Sequence, residues 1–160
     1  MPSGTARPKT PLRLIDTVDI RRTAGHLLRR AQQRAVDLFV QAVGENGLRP
    51  PQFAVLVTVH QNPGLNQTHL VDKTGIDRST IADMIDRMVA RGYLERKRDS
   101  ADQRVNTLWT TPAGVAAVEA CVEAAIAVQE EILAPVPAEK RAALLEALEL
   151  MAELPPDERR

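Results

Sequence analysis

The segment from Asn66 to Gly114 constrains this chain most, because a helical period, a glycine bend and a strand period follow one another within it. Between Asp77 and Gly92 the residues Ile81, Met84, Ile85, Met88 and Val89 recur at steps of three, four, seven and eight, which is one stripe of a 3.6-residue helix. The other face carries Arg78, Ser79, Thr80, Ala82, Asp83, Asp86 and Arg87, with little apolar bulk. Asp77 is placed to cap the helix start. Gly92 follows its end, where a positive φ costs least without a Cβ. Upstream, Gln67 to Ile76 has room for two helical turns, with Gly75 at the bend and Ile76 between the helices. Two helices joined by a short glycine-containing turn form a helix-turn-helix, whose second helix fits the DNA major groove. Many helical hairpins share this spacing, so the motif alone does not define a function.

The next residues narrow the choice. Residues 93–98 read as a strand, 99–104 as a polar turn, and 105–110 as a returning strand with β-branched and aromatic content. A hairpin placed straight after such a helix is a wing, with a tip able to reach a neighbouring groove. Arg96, Lys97 and Arg98 make it locally positive. Arg104 suits the narrow minor groove, where negative potential concentrates. Asp102, two residues earlier, is placed to hold its guanidinium through charge-assisted hydrogen bonds. The same two residues also read as a solvated turn ion pair worth under about 1 kcal/mol.

The pattern Asp99-x-x-Asp102-x-Arg104, followed by Leu108-x-Thr110-x-x-x-Gly114, resembles the wing signature of the MarR family of regulators. Leu70, Gly75-Ile76-Asp77, Ser79-Thr80 and Met88-Val89-x-Arg91-Gly92-Tyr93-Leu94 resemble its helix-turn-helix. The resemblance runs over roughly residues 18–152; the wing motif is its specific part, and the flanking helices match in length and pattern. It implies a mainly α fold with a small β wing: a winged helix-turn-helix, dimeric through its N- and C-terminal helices. By the same resemblance Arg104 enters the minor groove and Asp102 buttresses it.

Composition bounds the alternatives. At 160 residues the chain is large enough to bury a core without staples. Its 44 % hydrophobic content is ordinary for a globular chain. No uninterrupted apolar run approaches the roughly 20 residues that span a bilayer, so no membrane partner is expected. Residues 1–11 are polar and proline-rich, without the apolar stretch of a secretory signal, and read as a flexible arm. A single cysteine fits a reducing cytoplasm. Net charge is zero, but it is unevenly spread. Residues 1–47 carry eight basic and four acidic groups, 66–114 eight and seven, and 115–160 four and ten. The acidic excess thus lies away from the expected DNA face, and binding should be salt-sensitive.

The remaining chain reads as helices around this lobe. Val18 to Gly44 carries a long helical pattern ended by Gly44. A helix of about 25 residues spans nearly 40 Å at 1.5 Å per residue, more than a small core needs, so part of its stripe should meet another subunit. Its Arg21, Arg22, His26, Arg29, Arg30 and Arg34 read either as a solvated face or as anion recognition. Pro50-Pro51 start a helix running to about Gln61. His60, at its end, either meets backbone carbonyls or faces a ligand. Leu65-Asn66 can add a third strand. Thr111-Pro112 start a helix reaching Ala134, and Ala138 to Met151 form the last. Cys121 reads as a buried packing residue.

No Gly-rich phosphate loop, HExxH, CxxC or nucleophile elbow is present, so neither an enzyme nor a cofactor is expected. The organisation expected is an arm over 1–17, a dimerisation helix over 18–47, a DNA-binding lobe over 48–114, dimerisation helices over 115–154 and a tail over 155–160. The expected function is a ligand-responsive homodimeric regulator, read as a repressor, on a pseudo-palindromic operator in double-stranded DNA. Residues 78–87, Arg78 and Asp83 among them, would lie in the major groove, with Ser79 and Thr80 meeting base edges or phosphates, Gln67, Thr68 and Arg87 holding the backbone, and Arg98, Asp102 and Arg104 in the wing. Asp83 is repelled by DNA unless it accepts from cytosine N4 or pairs with Arg87. The effector expected is a small anion, an aromatic acid or its CoA thioester, met by His26, Arg29, Arg30 and His60. Two other readings stand beside this one: an architectural DNA-binding protein without effector, and a helical protein-interaction module.

Overall fold

Side-chain caps and paired prolines set where most helices begin. The computed structural model describes residues 13–45, 47–98 and 104–153. Pro50 and Pro51 occupy the first turn of α2 (Pro50–Gln61), where a missing N–H is no loss. The Asn66 side chain accepts from the His69 N–H and opens α3 (Gln67–Thr74). Gly75, at φ 66°, turns the chain into α4 (Arg78–Ala90), whose start Asp77 caps by accepting from the Thr80 N–H. Gly92, at φ 74°, releases it into the wing. Thr111 caps α5 (Pro112–Leu133) with Pro112 in its first position, and α6 (Ala138–Met151) follows.

Strands β1 (Leu65–Asn66), β2 (Leu94–Arg98) and β3 (Asn106–Thr110) form one antiparallel sheet in the order β1-β3-β2. The register pairs Leu65 with Leu108 and Arg96 with Leu108 across the two ladders. The short strand before α3 is therefore sewn to the returning strand of the wing.

The first helix departs from the sequence reading. Instead of a helix from Val18, residues Leu14–Thr17 and Ile20–Arg22 make single 3₁₀ turns, and α1 spans Ala24–Val43. Asp19 accepts from the Arg21 N–H, and the Thr23 hydroxyl donates to the Ile20 carbonyl. Such local bonds offer the backbone an alternative to helix. Thr23 is extended, and its carbonyl takes the first α-helical bond, from the Leu27 N–H. At 20 residues α1 is about 30 Å long rather than nearly 40.

The chain divides into two compact units at Gln33/Arg34. The first exposes Leu14, Ile15, Val18, Ile20, Leu27 and Leu28. In the second, the stripe of α4 is buried as its period requires. Ile81, Met84, Ile85 and Met88 pack with Val55, Leu56 and Val59 of α2, Leu70 of α3, Leu94, Leu108 and Cys121. Each such side chain contributes roughly 1.5–3 kcal/mol by leaving water, so the core fixes which face of α4 remains outside. A smaller cluster joins Phe39, Ala125 and Val128, with Phe53 edge-on to Phe39 at 5.6 Å between ring centres.

Counting uninterrupted apolar runs understates α5. By length and composition it is apolar enough to cross a bilayer. A single such helix is weak evidence of a span. Its Gly114, Cys121, Ala125 and Val128 are buried in the fold, and its exposed Glu119, Glu123, Glu130 and Glu131 would be costly in lipid.

Candidate nucleic-acid interface

Because the apolar stripe of α4 is buried, Arg78, Ser79, Thr80, Asp83, Asp86 and Arg87 are left exposed together. The start of α4 is held by a tight polar cluster. The Ser79 hydroxyl donates to Asp77 Oδ1 at 2.6 Å, and the Thr80 N–H donates to the same oxygen at 2.9 Å. These bonds, the Ser79 hydroxyl first and then Thr80, hold the Asp77 carboxyl well below the usual carboxylate range. Arg78 Nη2 donates to the Thr68 hydroxyl at 3.3 Å, and Gln67 Nε2 reaches the Arg78 carbonyl at 3.5 Å. Gln67 and Thr68 therefore brace the junction of α3 with α4.

The wing is tied to the same helix. Arg96 of β2 donates to Asp86 of α4 in a direct ion pair. Sequence reasoning placed Asp86 on the exposed face and Arg96 in the basic cluster without pairing them. Their separation of ten residues, with a turn between, leaves no periodic signal. Lys97 Nζ lies 2.7 Å from Glu95 and 4.8 Å from the centre of the Trp109 ring. The buried Thr107 hydroxyl donates to the Lys97 carbonyl at 3.1 Å and accepts from the Trp109 indole N–H at 3.0 Å. That network too went unread in the sequence. Arg98 closes β2 and Arg104 stands before β3, both exposed. Asp102 lies outside the described residues.

The residues expected to meet an effector are distributed over both units. His60 is exposed at the end of α2, its Nδ1 3.3 Å from the Thr110 hydroxyl of β3. It lines a cavity of about 210 Å³ with Val57, Gln61, Thr110, Val118 and Glu119. Arg29 and Arg30 are exposed on the first half of α1, where His26 is half-buried. Cys121 is buried, and burial pushes its thiol pKa up, as expected of a packing residue.

A helix-turn-helix with a polar, exposed second helix, braced to a basic hairpin by an ion pair, defines a winged-helix DNA-binding protein. The model of the MarR family matches residues 48–105. The transcriptional repressor NicR of Pseudomonas putida is 29 % identical over 150 residues, covering 94 % of this chain and 91 % of that protein. A structure of Bordetella bronchiseptica BpsR, described as the mechanism by which 6-hydroxynicotinic acid regulates its DNA binding, is 32 % identical. It superposes with a TM-score of 0.79 over 84 % of this chain and 96 % of that one. The transcriptional repressor CouR bound to a 23-mer DNA duplex is 31 % identical, with a TM-score of 0.73 over 81 % and 92 % of the two chains. This chain belongs to the MarR family of DNA-binding transcriptional regulators, which are not enzymes.

Proposed function

We propose that the chain is a ligand-responsive homodimeric repressor in the cytoplasm, acting on a pseudo-palindromic operator. Each subunit lays residues 78–87 in a major groove, with half-sites repeating about one helical turn apart, roughly 34–36 Å. Arg104 enters the adjacent minor groove with Asp102 beside it, and Arg98 contacts the backbone. The observation that carries this reading is the coincidence of two features: the only face of α4 left outside the core is the polar one, and Asp86–Arg96 fixes the wing beside it. That CouR binds a DNA duplex supports it by similarity.

Dimerisation is assigned to 18–47 and 115–154, flanking a DNA-binding lobe over 48–114, with 1–17 an arm and 155–160 a tail. Support comes from large apolar side chains exposed on both stretches: Ile20, Leu27 and Leu28 on the first, Ile126, Leu145, Leu148, Leu150 and Met151 on the second. Apolar surface of that kind on a folded chain marks an interaction site.

The effector we infer is a one-ring aromatic acid. The regulation of BpsR by 6-hydroxynicotinic acid supports the class, and a cavity of about 210 Å³ beside His60 has room for a single ring. His26, Arg29 and Arg30 are assigned to anion recognition on the first half of α1. The bond from His60 to Thr110 links that cavity to the wing strand β3. A ligand acts only by binding two conformations unequally.

The test is selection of genomic duplex fragments by the purified protein, followed by titration of the winning fragment with wild type and Arg104→Ala. Loss of roughly 1–3 kcal/mol of binding in the variant is expected. Equal affinity of the two proteins would end the wing assignment, and a monomer in solution would end the dimer.

A further inference from the structure

The exposed face of α4 has more chemistry fixed in it than its residue types convey. A serine hydroxyl has one proton to donate and lone pairs that accept. Ser79 gives its proton to Asp77, 2.6 Å away. Asp77 is ionised and accepts only, and it is held in place by its second duty as the helix cap. What Ser79 turns outward is therefore oxygen lone pairs. Four residues on, along the same side of the helix, Asp83 is exposed and makes no ion pair among the described residues. A carboxylate also only accepts. The other acid of this face, Asp86, is already committed to Arg96.

We propose that Ser79 and Asp83 form an acceptor pair that selects DNA by hydrogen-bond polarity, requiring exocyclic amino groups, adenine N6 or cytosine N4, on the strand they face. This rests on α4 being the groove helix and adds the base chemistry it reads. In the major groove guanine offers N7 and O6, both acceptors, and thymine offers O4 and a methyl group. Every base pair carries one amino group, so the selection is of which strand carries it. An acceptor opposite an acceptor is worse than a missing contact, because the carboxylate loses water and gains no partner. Asp83 also repels phosphates, which lowers affinity for all DNA while sharpening the choice.

The experiment starts from a duplex pool with a randomised centre, selected with the wild-type chain. In the enriched duplex, each adenine is replaced in turn by purine, and each cytosine by 2-pyrimidinone, deleting one amino group at a time. Affinities are measured for wild type, Ser79→Ala, Asp83→Ala and Asp83→Asn, with circular dichroism confirming that each variant folds. At one position the wild type should lose about tenfold, while Asp83→Ala should be indifferent to the same deletion. Ser79→Ala should be indifferent at another. Asp83→Asn should bind random duplex more tightly than wild type. An enriched sequence in which no amino group couples to either residue would overturn the acceptor pair and leave the regulator reading standing, as would unchanged random-duplex affinity in Asp83→Asn. A pool that yields no enriched sequence would remove both.

Discussion

Gly114 offers the sharpest stability test, because the same chemical change made elsewhere should have the opposite sign. A Cβ built on Gly114 would lie 2.1 Å from the Tyr93 carbonyl oxygen and 3.0 Å from its carbon, both backbone atoms that cannot swing away. Restoring contact to 3 Å requires the start of α5 and the entry to β2 to separate by about 1 Å. That separation stretches the Thr111 N–H bond to the same Tyr93 carbonyl and the Thr111 hydroxyl bond to the Gly92 carbonyl. Overpacking of this kind costs about 1–3 kcal/mol and a weakened hydrogen bond about 1 more, so Gly114→Ala should cost roughly 2–4 kcal/mol. For a chain of this size that is a fall in Tm of roughly 5–15 °C. The control is Gly25→Ala in the first turn of α1, where a Cβ meets nothing within 4 Å. It should stabilise by about 0.4–1 kcal/mol through the unfolded chain. Urea unfolding followed by circular dichroism measures both. If Gly114→Ala held the wild-type midpoint, the close approach of α5 to the wing would be wrong.

Thr107→Val keeps the shape of the side chain but deletes the hydroxyl that serves both the Lys97 carbonyl and the Trp109 indole; it should cost about 1–3 kcal/mol. Emission from Trp109, the single tryptophan, should shift in that variant at native conditions, and an identical spectrum would contradict the network. The depressed Asp77 carboxyl has a folded pKa below its unfolded one, so its stabilisation is complete above the unfolded value of about 3.9 and drains away as pH falls toward the folded value. The stability difference between wild type and Asp77→Asn should therefore be constant above about pH 4 and change progressively as pH falls below it; a difference independent of pH down to the acid limit would show that the cap is not a depressed carboxylate.

Local chemistry made much of this fold legible. Asn66, Asp77 and Thr111 cap helices, and Gly75 and Gly92 take positive φ, because each satisfies backbone groups within a few residues of itself. The stripe of α4 was readable because burial and period coincide. The start of α1 was not: apolar spacing continues through Ile20, but Asp19 and Thr23 bond their own backbone and hold the chain in 3₁₀ turns. Contacts across elements were also hidden. Asp86 with Arg96, His60 with Thr110 and Thr107 with Trp109 depend on a packed sheet and core, and their spacing carries no period. Candidate base-facing residues could be named from the sequence, yet the direction of the Ser79 proton could not.

With β3 in the middle, only β1 and β2 have an open side, where another chain's backbone could add itself as a further strand. β1 is two residues long and offers almost no template. β2 is five residues long, but four of them, Glu95, Arg96, Lys97 and Arg98, are charged and exposed. A regulator concentrates on its duplex, where neighbouring copies would otherwise stitch their hairpins into a continuous ribbon. Those four charged side chains keep each copy from polymerising with the next.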